Sequence, residues 1–80
     1  MRIDKFLKNS RLIKRRTIAK EACEKGRVLI NGKSAKPGSD IAEGDEITIL
    51  FGGSQLQVRV KELSEHVTKE SAGEMYEVIE

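Results

Sequence analysis

Eighty residues make one domain with a small core: a chain this short removes only roughly two-thirds of its unfolded surface from water, which leaves little room for a deep catalytic cleft. An apolar fraction of 38% argues against full disorder, and a single cysteine, Cys23, excludes an intrachain disulfide. The net charge of +2 conceals a division, because residues 1–36 hold twelve bases and three acids, a balance of +9, while residues 37–80 hold three bases and ten acids, a balance of −7. A basic segment of this density neutralises phosphates and releases their counterions, so it favours nucleic acid without reading sequence. Three aromatics (Phe6, Phe51 and Tyr76) and no Trp leave little for stacking on unpaired bases. No long apolar segment suggests a signal peptide or a membrane span, so a cytoplasmic protein without a membrane partner is expected.

In chain order, Ile3, Phe6 and Leu7 recur at i, i+3, i+4 and predict a first helix. Asp4 lies at its start, where a carboxylate caps backbone N–H groups or orients a neighbouring base. Asn9-Ser10 reads as a break. Arg11 to Arg16 (RLIKRR) follows, with Leu12 and Ile13 as anchors and Arg11, Lys14, Arg15 and Arg16 outside. A second helix is predicted from Arg16 or Thr17 to Lys25. Thr17 is its candidate cap, Ile18, Ala19, Ala22 and Cys23 form its apolar stripe, and Gly26 is its stop. Arg16 and Lys20 stack at i, i+4 on the opposite side.

Val28-Leu29-Ile30 predicts a short strand, and Asn31-Gly32 a tight turn, because both residues tolerate positive φ. The chain returns through Ser34-Ala35-Lys36, and Pro37-Gly38 closes the unit. Residues 40–45 form a polar connector anchored by Ile41. Glu46 to Phe51 and Gln55 to Lys61 read as two strands of one hairpin about Gly52-Gly53-Ser54, with Leu56, Val58 and Val60 pointing inward. Residues 62–74 are ambiguous, with a helical turn expected around Thr68 to Ala72. Met75 to Ile79 is a candidate last strand.

The residues carry a resemblance. Arg2-Ile3-Asp4-Lys5-Phe6-Leu7, Ser10-Arg11, Arg16-Thr17-Ile18-Ala19, Gly26-Arg27-Val28, Val28-Leu29-Ile30-Asn31-Gly32 and Gly44-Asp45-Glu46 resemble the RNA-binding domain first described in the fourth protein of the small ribosomal subunit, also called the αL motif. The match covers about residues 1–50, with residues 51–80 as a C-terminal strand extension of one domain spanning 1–80. It implies an α+β fold, two short N-terminal helices packed on a small, mostly antiparallel sheet. The start, Phe51-Gly52 and Met75-Tyr76-Glu77-Val78-Ile79 look like the small stand-alone members of Gram-positive bacteria. That implies a non-catalytic protein of ribosome-associated quality control. Its expected partners are large-subunit rRNA, peptidyl-tRNA and an RqcH-type protein that directs C-terminal alanine tailing. No cofactor and a monomer are expected.

Carried over by position, the RNA-contacting candidates are Arg2, Lys5, Arg11, Arg15, Arg16, Arg27 and Lys33. Lys8, Lys14, Lys20 and Lys36 form a second rank. Arginine leads because its planar fork grips phosphate from two sides. Asn31 reads as a structural turn residue and Cys23 as a buried small hydrophobe. His66, the lone histidine, has no second histidine or cysteine at metal spacing. Three alternatives stand beside the main expectation: a heat-shock-type protein recycling blocked large subunits, an accessory subunit of an RNA-modifying enzyme, and a module whose basic face binds an acidic protein.

Overall fold

The computed structural model describes residues 1–64, 68 and 70–79; His66 lies outside them. Helix α1 spans Ile3–Asn9 and α2 spans Arg16–Glu24. Five strands follow: β1 (Val28–Ile30), β2 (Lys33–Ser34), β3 (Glu46–Phe51), β4 (Ser54–Val60) and β5 (Tyr76–Val78). They form one sheet in the order β2-β1-β3-β4-β5, with every pair antiparallel. The α+β expectation holds.

One apolar cluster joins helices and sheet. Ile3, Phe6 and Leu7 of α1 are fully buried with Val28, Ile47 and Val58 of the sheet. Burying side chains of this size stabilises by about 1.5–3 kcal/mol each. Alternation in β3 and β4 selects the inward face: Ile47 lies opposite Val58, and Ile49 opposite Leu56. Helix α2 contributes only a narrow stripe of Ala19 and Cys23, with Ala22 half-buried. Ile18, expected in that stripe, is instead 49% exposed. One residue is about 100° of helical turn, enough to carry Ile18 off the face that Ala19 presents.

The N-terminus of α2 differs from expectation, and at α1 Asp4 takes the second of its two expected roles, holding neighbouring bases. Neither α1 nor α2 has a side-chain cap; Arg2 and Arg15 occupy the capping positions, and Thr17 lies inside α2. At α1 the loop backbone supplies the missing acceptors: Ile3 N–H donates to Ser39 C=O at 2.8 Å and Asp4 N–H to Pro37 C=O at 3.3 Å. The Asp4 carboxylate is thereby released from capping. At the end of α2, Gly26 at φ 73° closes a Schellman motif in which Gly26 N–H donates to Cys23 C=O and Arg27 N–H to Ala22 C=O.

Asn31 and Gly32 sit at φ 50° and 85°, the pattern of a type I′ turn, between the paired Ile30 and Lys33. Asn31 Oδ1 also accepts from Glu46 N–H at 2.9 Å, and its Nδ2 donates to Asp45 Oδ1 at 3.3 Å. The hairpin tip is thus tied to the start of β3. Beyond β4, the expected helical turn at Thr68 to Ala72 is closed by Ala72 N–H donating to Thr68 C=O at 3.1 Å, and a 3₁₀ turn over Ala72–Met75 follows it. Thr68 N–H also donates to Ser71 Oγ at 2.9 Å. Asn31→Ala should cost about 2 kcal/mol, and Asn31→Gly, which keeps the positive φ and loses only the side-chain bonds, about 1 kcal/mol. Urea unfolding checks the difference; equal losses would mean that backbone conformation contributes nothing at this turn.

Candidate nucleic-acid interface

The first turn of α1 and the first turn of α2 converge on one carboxylate. Arg2 Nη2 donates to Asp4 Oδ2 at 3.2 Å, and Arg16 Nη2 donates to Asp4 Oδ1 at 3.5 Å. The Asp4 side chain is 3% exposed, whereas those of Arg2 and Arg16 are 52% and 48% exposed. Arg2, Asp4, Arg16, Thr17 and Lys20 line an open groove of about 300 Å³. The Arg2 guanidinium also passes Gly38, where an added Cβ would lie 3.8 Å from Nη2. The strand-like bridge between Arg2 and Asp40, with Ile41 N–H donating to Met1 C=O, fixes the backbone that carries it.

The electrostatics of α2 reinforce the site. Its N-terminus has no cap, no acid in the first turn and two arginines, Arg15 and Arg16, at the positive end of the helix dipole. Charge of that sign costs roughly 0.3–1 kcal/mol at such a position, and an anion there would reverse the balance. Arg11 is a second strained choice. It follows α1 at φ 63°, a left-handed conformation that disfavours residues with a Cβ, where the equivalent place after α2 holds Gly26. Its N–H donates to Lys8 C=O at 3.0 Å, which holds it there.

The expected contact residues divide by place. Arg2, Arg16 and Lys20 come together in the groove. Lys5 is half-buried and Lys8 exposed on α1; Arg11, Lys14 and Arg15 are exposed on the connection between the helices. Arg27 precedes β1, Lys33 opens β2 and Lys36 follows it, all exposed and outside the groove. Lys20, ranked second from sequence, lines the groove beside Arg2 and Arg16. The joint role of Gly38 and Asp4 around Arg2 was not visible as a pattern, since Gly38 is distant in sequence; the closely spaced Arg2 and Asp4 were the only signal.

Arg59 on β4 bridges Glu77 of β5 at 2.9 Å and Glu46 of β3 at 3.5 Å, straight across three strands. The Glu77 hydrogen bond is the main cause that holds its guanidinium more firmly protonated than usual. Burial, then the charges of Asp4 and Glu24, push the Cys23 thiol up to about 11, so it remains the inert small hydrophobe expected. Among the described residues no group of acids, His or Cys is arranged to hold a metal ion, and no helix is long and apolar enough to cross a membrane.

The S4 domain family matches residues 1–47. The RQC P-site tRNA stabilizing factor of Listeria monocytogenes is 53% identical over 79 residues, covering 99% of this chain and 86% of the relative. The chain belongs to the S4 domain family, among the RQC P-site tRNA stabilizing factors. The Bacillus subtilis factor of the same name is likewise 53% identical over 79 residues, with 99% and 92% coverage. A trimeric structure of Heat Shock Protein 15 from Vibrio cholerae superposes with a TM-score of 0.90 at 29% identity, covering 99% of this chain and 81% of that one. The groove therefore lies wholly within the residues that match the S4 domain.

Two stability outcomes follow for the S4 domain. Arg2→Ala/Arg16→Ala strands a buried carboxylate and should cost about 3 kcal/mol, most of it recovered by adding Asp4→Asn. Denaturant unfolding of the double and triple variants checks this, and an unrecovered loss would place the arginines' contribution in packing instead. Arg11→Gly should raise stability by about 0.5–1 kcal/mol while weakening RNA binding. Thermal unfolding paired with a binding titration would expose the opposite result, a destabilised protein with unchanged affinity.

Proposed function

We propose that this chain is a non-catalytic RNA-binding protein of ribosome-associated quality control. It binds large ribosomal subunits obstructed by peptidyl-tRNA, through tRNA and large-subunit rRNA, and steadies tRNA at the P site. It works with an RqcH-type partner during C-terminal alanine tailing, as a monomer in the cytoplasm. The observation that carries the RNA-binding part is the groove in which two guanidiniums and Lys20 surround the uncapped start of α2. The quality-control part rests on relatives named RQC P-site tRNA stabilizing factor at 53% identity over nearly the whole chain.

Arg2, Arg16 and Lys20 grip phosphate in the groove, and Arg11 and Arg15 extend the contact along the connection. Lys5, Lys8, Lys14, Arg27, Lys33 and Lys36 add charge around it. No base-reading apparatus is invoked; recognition comes from backbone shape and charge. The acidic half carries Arg59 already neutralised by Glu46 and Glu77, so it offers phosphate no comparable surface.

A pull-down of tagged protein from bacterial lysate tests the reading, with wild type compared against Arg2→Ala/Arg16→Ala/Asp4→Asn. Large subunits carrying tRNA and an RqcH-type protein are expected with wild type and lost with the variant. Large subunits without that protein would shift the reading to heat-shock-type recycling. An acidic protein that survives nuclease treatment, with no ribosome, would overturn RNA binding. If about five phosphates are contacted, the log-log salt slope of affinity should be roughly −3.5 to −4.5, and a slope near zero would defeat the electrostatic mechanism.

A further inference from the structure

Asp4 is the member of the groove that electrostatics alone would not choose. A carboxylate repels phosphate, so simple charge counting treats it as a defect and its removal as a gain in affinity. The geometry argues otherwise. The Asp4 side chain is buried to 3% exposure, while the two guanidiniums bonded to it are about half exposed. The negative charge is turned inward and the positive charges outward. Each guanidinium commits one nitrogen, Nη2, to a different oxygen of the same carboxylate. Their other N–H donors stay available to a ligand in the groove.

An unrestrained arginine loses rotamer freedom when it grips a phosphate, and that loss subtracts from affinity. Arg2 and Arg16 are tethered at their tips before any ligand arrives. Because the loop carbonyls of Ser39 and Pro37 satisfy the first N–H groups of α1, Asp4 is free for this task. We infer that Asp4 is a positioning residue that preorganises Arg2 and Arg16 as a two-armed clamp for one stretch of phosphate backbone, so that its negative charge raises RNA affinity. This rests on the reading of the groove as the RNA interface.

The test is a cycle of four proteins: wild type, Asp4→Asn, Arg2→Ala/Arg16→Ala, and the triple variant. Each is titrated against large ribosomal subunits purified from Bacillus subtilis at fixed salt, with thermal unfolding confirming that each is folded at the assay temperature. Asp4→Asn should weaken binding about tenfold although it adds one unit of positive charge. In the background lacking both arginines, the same substitution should leave affinity unchanged or slightly tighter. Tighter or equal binding by Asp4→Asn in the otherwise wild-type chain would overturn the inference while leaving the RNA interface standing. An equal loss in both backgrounds would overturn it too, since Asp4 would then act through the fold. Wild-type affinity in Arg2→Ala/Arg16→Ala would remove the interface itself. A measurement on wild type alone adds an independent reading: ¹⁵N relaxation of the arginine Nε–Hε groups should show Arg2 and Arg16 more restrained than exposed Arg15. Equal mobility would mean that no clamp is preformed.

Discussion

A carboxylate buried between two half-exposed guanidiniums is the constraint on which the groove depends. An ionised group out of water needs paired charge and hydrogen bonds, or it becomes a large liability in a domain with little stability to spare. Asp4 obtains both from Arg2 and Arg16, one from each helix. The pairing therefore does two things at once. It joins the starts of α1 and α2, and it fixes where the positive charge of the groove stands. The sheet supplies the floor for this arrangement through the cluster of Ile3, Phe6, Leu7, Val28, Ile47 and Val58.

Around that constraint the basic segment accepts several locally unfavourable choices. Arg15 and Arg16 sit at the positive end of a helix without a cap. Arg11 occupies a left-handed conformation that glycine fills after α2. Twelve bases share residues 1–36 with three acids. Each choice works against folding by a fraction of a kcal/mol to about one, and all of them lie in the same basic segment. The elements away from the groove show the opposite habit. Gly26 ends α2 with a complete Schellman motif, Asn31-Gly32 forms a turn of matching type, and Arg59 is met by an acid from each neighbouring strand. Local conflict is concentrated where an anion would resolve it, and local agreement prevails elsewhere.

Much of the fold was legible. Period-3.6 spacing gave α1, alternation gave the β3–β4 hairpin, and Asn31-Gly32 gave the β1–β2 turn. The misreadings have one source. Thr17 has the chemistry of a cap, but α2 begins earlier, with Arg15 in the capping position. Asp4, expected either to cap or to orient a neighbouring base, does the second, because a loop distant in sequence takes the first N–H groups of α1. Ile18 has the chemistry of a core residue, but the contact between the helices and sheet is too narrow to cover it. The family resemblance was carried by the same segment that the S4 domain later matched, residues 1–47.

By itself the sequence determined the charge division, the types of the main elements and the set of bases in the basic segment, because composition, periodicity and turn chemistry are local properties. Only the tertiary structure decided which of those bases stand together. Arg2, Arg16 and Lys20 are separated along the chain and meet because α1 and α2 pack at their N-terminal ends, with the loop at residues 37–39 closing over the start of α1. It also decided that Asp4 faces inward, to bind arginines, and not along the helix axis, to cap it. A hydrogen bond from a backbone thirty-odd residues away settled that choice, and no local pattern encodes a partner at that distance.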